Sequence, residues 1–124
     1  MKVRRIVPDI SSTDLEATRD FYVDLVGLEV AMDLGFIVTL VSPSNVTAQL
    51  NILRAAEESR GEHPSTVAIS IEVESVDDVH SRAVEAGLDI VYPLTTESFG
   101  VRRFHLRDPN GVLVNIMSHV ISEP

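Results

Sequence analysis

Four histidines and the adjacent acids Asp77-Asp78 are side chains of this sequence whose types suit acid–base or metal chemistry. His63, His80, His105 and His119 are scattered. No H-x-x-x-H spacing sets two imidazoles on one helix face. Asp77-Asp78 could work as a general acid–base pair. It also opens a helical segment, where the helix dipole favours carboxylates, and that accounts for the pair without chemistry. The chain has no cysteine, so neither a disulfide framework nor a thiolate metal site is available. No Ser-His-Asp order, phosphate-cradling glycine loop or aromatic-rich basic strip is present, and nucleotide binding has no support.

The elements that must position these residues come in a pattern stated twice. Thr13-Asp14-Leu15-Glu16 opens a run that closes on Val26-Gly27-Leu28. Ser75-Val76-Asp77-Asp78 opens a second that closes on Ala86-Gly87-Leu88. Each reads as a capped amphipathic helix, a glycine stop and a strand. Thr13 and Glu16 have the spacing of a capping box, and Ser75 is the expected second cap. Leu15, Tyr22, Leu25 and Val26 share a helical face, with Phe21 at its flank. Val76, Val79, Ala83 and Ala86 form the second stripe. Strands are expected over residues 4–11, 28–33, 36–41, 46–53, 66–73, 88–92, 101–106 and 112–117. Asp108-Pro109-Asn110-Gly111 should form the tight turn between the last two.

The expected fold is therefore α+β. Two βαβββ modules, about 1–54 and 66–124, are joined by a polar linker over 55–65 within a single domain, with the helices outside. A ferredoxin-like sandwich is the alternative, and it requires different strand assignments. A duplicated unit that cannot bury its own apolar face implies two packed modules. The 124 residues, 44% of them hydrophobic, suit one core. The net charge of −9 argues against a nucleic-acid partner. It is compatible with a cationic ligand or simply with solubility. Residues 1–6 lead straight into a strand-like segment with no secretory h-region. No apolar run approaches the ~18–20 residues that span a bilayer. A cytoplasmic protein with no membrane partner is expected.

Thr13-Asp-Leu-Glu-Ala-Thr-Arg-Asp-Phe-Tyr22, with Gly27-Leu28, resembles the first-module signature of the vicinal oxygen chelate superfamily. Phe104-His-Leu-Arg-Asp-Pro-Asn-Gly111 resembles its closing strand–turn–strand. That superfamily includes glyoxalases, bleomycin-resistance proteins, fosfomycin-resistance proteins and extradiol dioxygenases. The resemblance implies strands curled into a half-barrel cavity in each module. It also implies inward metal ligands on the first and last strands of each module. In this chain those positions fall on Val7, Asn51, Ala68 and Asn115. Val and Ala cannot ligate, and neutral amides bind divalent metals weakly. The implied metal centre is therefore expected to be missing, with no other cofactor in its place.

Carried along each strand at its two-residue period, the resemblance gives a cavity set of Asp9, Asn51, Glu72, Arg103, His105 and Asn115. Two readings stay open for it. As a binding set it would orient a polar ligand. As a structural set, Arg103 would pair with Asp9 or Glu72. The resemblance to bleomycin-resistance-type members implies a homodimer binding a small polar or cationic drug-like molecule without metal. One alternative is a metal-dependent glyoxalase, dioxygenase or thiol-transferase with a relocated site on Asp9, Glu72 and His105. A metal-free enzyme would use His105 as base and Arg103 as oxyanion partner. The other three histidines are expected at the surface or an interface.

Overall fold

A computed structural model describes residues 4–55 and 68–120. The expected linker lies outside the described residues beyond Ala55, and so does His63. The first module runs β1 (Asp9–Ser12), α1 (Leu15–Asp20), β2 (Glu29–Asp33), β3 (Ile37–Ser42) and β4 (Asn45–Arg54). The second runs β5 (Ala68–Glu72), α2 (Val76–Glu85), β6 (Ile90–Thr96), β7 (Val101–Arg107) and β8 (Leu113–His119). The chain divides into two compact units, Met1–His63 and Pro64–Pro124. Each holds one βαβββ module, so the fold is α+β as expected.

Each module builds one open, mixed, four-stranded sheet. The orders are β1-β4-β3-β2 and β5-β8-β7-β6. The first strand of each sheet lies parallel to the last, and the other neighbours are antiparallel. The opening strand is shorter than its composition suggests and begins only at Asp9. Pro8 has no N–H to give a ladder, although its carbonyl still accepts from the Asn51 N–H at 2.9 Å.

Period-two alternation sorts the residues of each sheet between two faces. Ile10, Val38, Leu40, Leu50 and Ile52 are buried, as are Leu15, Phe21, Tyr22 and Leu25 of the overlying helical segment. In the second unit Phe104, Leu106, Val114 and Ile116 are buried together with Val76, Val79 and Ala83 of α2. Each large apolar side chain buried this way contributes roughly 1.5–3 kcal/mol before entropy is subtracted.

Helix α1 departs from the simple reading. It widens into a π-helical turn over Phe21–Val26, and the Leu28 N–H reaches back to the Tyr22 carbonyl at 3.1 Å. The adjacent rings of Phe21 and Tyr22 are both buried and meet edge to face at 4.9 Å. Ordinary helical pitch would separate adjacent side chains by about 100°. The wider turn accommodates both. Gly27 closes it at φ 89, a conformation that penalises residues carrying a Cβ.

The cap of α1 is Asp14, whose carboxylate accepts from the Ala17 N–H at 3.0 Å. It is not Thr13. A buried hydroxyl pair, Ser12 Oγ with Thr18 Oγ1 at 2.8 Å, sets this start. Ser12 Oγ also accepts from the Asp14 N–H, and Thr18 Oγ1 donates to the Asp14 carbonyl. Ser75 caps α2 as expected. The Asp108–Gly111 turn forms too, with the nearly buried Asp108 carboxylate accepting from the Asn110 and Val112 N–H groups at 2.7 and 3.0 Å. Among the described residues no helix is long and apolar enough to cross a membrane.

Candidate functional site

The repeat extends beyond helices and turns to the polar residues on the face of each sheet opposite its helix. In the first unit Thr39 of β3 lies opposite Asn51 of β4, which lies opposite Asp9 of β1. In the second, His105 of β7 lies opposite Asn115 of β8, which lies opposite Ser70 of β5. Asp9 and Ser70 each stand five residues before their module's cap, Asp14 or Ser75. The two triplets occupy equivalent places, each with asparagine at the centre.

Their hydrogen bonding differs. Thr39 Oγ1 donates to Asn51 Oδ1 at 2.6 Å, and Asn51 Nδ2 donates to Asp9 Oδ1 at 2.9 Å. Both ends of that amide are engaged, and the triplet is a closed brace across three strands. Nearby, Arg5 donates to the Gln49 side chain. In the second unit Asn115 Nδ2 donates to Ser70 Oγ at 3.1 Å, while Asn115 Oδ1 faces the His105 ring closely enough to raise its pKa without a hydrogen bond of good geometry, so that Oδ1 stays buried and unsatisfied. His105 Nε2 and Arg103 Nε, on the adjacent strand, are buried and unpartnered as well. A buried polar group left unpaired costs about 1–3 kcal/mol. Three side by side are unusual enough to need a reason.

An aromatic and charged frame surrounds them. The Arg103 guanidinium lies 5.5 Å from the Tyr92 ring centre and 5.3 Å from that of Phe99. Its NH2 group donates to Glu97 Oε2 at 3.2 Å, and the Tyr92 hydroxyl donates to Glu97 Oε1 at 2.7 Å. Glu97 thus fixes both partners, with 14% of its side chain exposed. The Tyr92 and His105 rings are 4.9 Å apart and tilted by 34°. Burial and then the charge of Arg103 push the His105 pKa below 6.5, against a weaker upward pull from Asn115 and Glu97. His105 is therefore neutral at neutral pH, able to accept or donate at Nε2.

Of the residues expected in one set, Arg103, His105 and Asn115 are brought together on neighbouring strands. Asn51 and Asp9 join each other in the first unit. Arg103 pairs with Glu97 and not with Asp9 or Glu72. The Glu72 carboxylate instead meets His119 Nδ1 at 2.6 Å, both side chains being more than half exposed. His80 is no simple surface residue, since it packs edge-on against buried Phe104 at 5.0 Å. Asp77 is claimed by Arg102 at 3.0 Å, and that contact lowers its pKa.

The metal centre implied by the resemblance can be tested against these donors. Asn51 has both amide ends committed, and Asn115 offers one neutral oxygen. Among the described residues no group of three or more His, Cys, Asp or Glu side chains is placed to hold a metal ion. That statement includes Asp9, Glu72 and His105. The residues present do not fit such a centre.

Tyr92, Glu97, Phe99, Thr39 and Ser70 complete the two constellations; strand period puts Ser70 on the inward face with Glu72, and sequence reasoning did not single out the other four. Thr39, and the pairing of Ser70 with Asn115, follow once cross-strand register is known. Tyr92 had a signal, as an amphipathic aromatic at the end of an expected strand. Glu97 and Phe99 sit in the β6–β7 connection, whose path no periodicity reveals.

The family model for the Glyoxalase/Bleomycin resistance protein/Dioxygenase superfamily matches residues 4–116. Solved structures share the fold at low identity. Virulence protein STM3117 from Salmonella typhimurium is 22% identical with a TM-score of 0.73, over 97% of this chain and 100% of that one. TioX from Micromonospora sp. ML1 is 22% identical at 0.74, over 97% and 99%. Lactoylglutathione lyase from Agrobacterium tumefaciens is 20% identical at 0.73, over 94% and 95%. No curated protein sequence matches the chain. With the family's model running through both βαβββ modules, the chain belongs to the Glyoxalase/Bleomycin resistance protein/Dioxygenase superfamily.

Proposed function

We propose that this protein binds a small, polar, drug-like molecule without a resident metal, in the manner of the bleomycin-resistance branch its family name includes. The site is the second-unit face carrying Arg103, His105 and Asn115. One observation carries the reading. Equivalent triplets in the two repeats differ, and only the second leaves buried hydrogen-bonding atoms unused. A fold that merely needed a brace would have closed both. A ligand supplying a donor and an acceptor removes the penalty of the unpaired groups on binding. Each of the three residues is part-exposed, so a rotamer adjustment brings its free atom to a ligand. Tyr92 and Phe99 add aromatic contact area, the usual companion of a few convergent polar groups in small-molecule sites.

The test is an NMR titration of isotopically labelled protein with polar aromatic drug-like compounds and cationic glycopeptides. Saturable shifts at the Asn115 side-chain amide and the His105 ring are expected. The accompanying shifts of the retained Tyr92 ring and Ser70 amide should vanish in the folded His105→Ala, Asn115→Ala double variant. Binding that leaves both groups unperturbed, or no binding by any compound, would overturn the assignment.

The functional unit is proposed to be a homodimer. All of β2, an edge strand, is exposed, and Val30, Met32, Leu34 and Phe36 form an apolar run there and in the following turn. Apolar surface of that kind is normally covered by a partner. Sedimentation should give a dimer mass, reduced to a monomer by Phe36→Asp. A monomeric parent protein would end this part of the proposal.

A further inference from the structure

The charges beside the three free atoms are engaged, and Arg107, two residues further along β7, is held at the turn by the Gly111 carbonyl. Arg103 is paired with Glu97, and both Glu97 oxygens are occupied, one by Arg103 and one by Tyr92. The other acid on β5, Glu72, is engaged by His119. Among the described residues no carboxylate near the three free atoms is left for a cation, and a cation would meet the Arg103 guanidinium. An anion could take Arg103 only by stripping it from Glu97. That would leave a largely buried carboxylate uncompensated, which is costly. Neither sign of charge is accommodated at the paired Arg103 and Glu97, whatever the chain's overall balance.

The unused atoms specify the rest. Arg103 Nε–H is a donor and Asn115 Oδ1 an acceptor. His105 Nε2, between them in the register of β7 and β8, serves either way according to tautomer. Around them stand flat groups, with Tyr92 against His105 and Phe99, 65% exposed, against Arg103. Flat π surfaces favour a flat partner.

We infer that the molecule bound on this face is uncharged and planar, an aromatic carboxamide or lactam presenting a carbonyl and an N–H from the same edge. Its carbonyl accepts from Arg103 Nε, its N–H donates to Asn115 Oδ1, and its ring lies against Phe99. This inference rests on the binding function proposed above and adds to it the charge class and shape of the ligand.

An isosteric ring series tests it on the intact protein: naphthalene-2-carboxamide, naphthalene-2-carboxylate and 2-naphthylmethylammonium. Affinities are read from titration shifts of the His105 ring and Asn115 amide at pH 7.5. The carboxamide should bind at least about tenfold more tightly than either charged relative. In Glu97→Gln, which keeps an acceptor for Tyr92 but frees the Arg103 charge, the carboxylate should gain about tenfold on the carboxamide. If a charged member binds tightest while shifting His105 and Asn115, the ligand class is wrong and the site stands. If no member shifts these two groups, the inference falls together with the binding site. Carboxamide preference without the Glu97→Gln reversal would overturn the charge argument.

Discussion

His105 is neutral because its ring is partly desolvated and shares a strand face with the Arg103 cation. Both causes disfavour a second proton. Its folded pKa therefore lies below its unfolded one, and the sign of the pH dependence follows. The neutral ring favours the fold above about pH 6.5. That contribution is lost as pH falls through the lower, folded value. An NMR titration of the His105 ring should give a midpoint below the ordinary histidine range. Arg103→Gln should raise it, because the repelling charge is gone and Glu97 is left to attract the proton. An unmoved midpoint would mean that Arg103 does not reach the imidazole electrostatically. Residue types made His105 and Arg103 visible as a pair. Their partner Glu97 was hidden, since the contact depends on the course of a connection and not on strand period.

At the level of elements, the start of α1 shows what local spacing can and cannot decide. Ser11-Ser12-Thr13-Asp14 offers four consecutive residues of good capping type. The Thr13–Glu16 spacing favours Thr13. The structure selects Asp14, because Ser12 and Thr18 bury their hydroxyls against each other and hold the Asp14 N–H and carbonyl. Burial of Thr18 is a tertiary fact that helical periodicity of apolar residues does not report. Asp14→Ala should therefore cost about 1 kcal/mol in urea unfolding, while exposed Thr13→Ala should stay within about 0.5 kcal/mol. The reverse order would restore the capping box. The same limit explains the π-helical turn. The sequence showed adjacent Phe21 and Tyr22, but their joint burial needs a helix wider than the one its stripe assumes. Gly27, Ser75 and the Asp108–Gly111 turn were legible because their chemistry is local.

For the whole molecule, duplication makes each unit a control for the other. The fold was readable because helix caps, glycine stops and strand alternation recur in register in both halves. The candidate site was readable only as far as face and register. Two asparagines occupy equivalent places, and nothing in their identity separates a brace from a recognition group. Hydrogen bonding does separate them, and the difference has energetic consequences. Asn51→Ala removes acceptor and donor from a closed triplet, leaving the Thr39 hydroxyl and the Asp9 carboxylate without that amide. It should cost about 1–2 kcal/mol and leave ligand shifts at His105 intact. Asn115→Ala removes one exposed bond to Ser70 and also an acceptor that was already buried unpaired. Those effects oppose each other, so its stability cost should be under about 0.5 kcal/mol, while ligand perturbation of His105 disappears. Urea unfolding and NMR titration of the two variants measure both quantities side by side. Equal stability losses with equal effects on binding would mean that the repeats have not diverged, and that the open hydrogen-bonding atoms of the second unit have no role in binding.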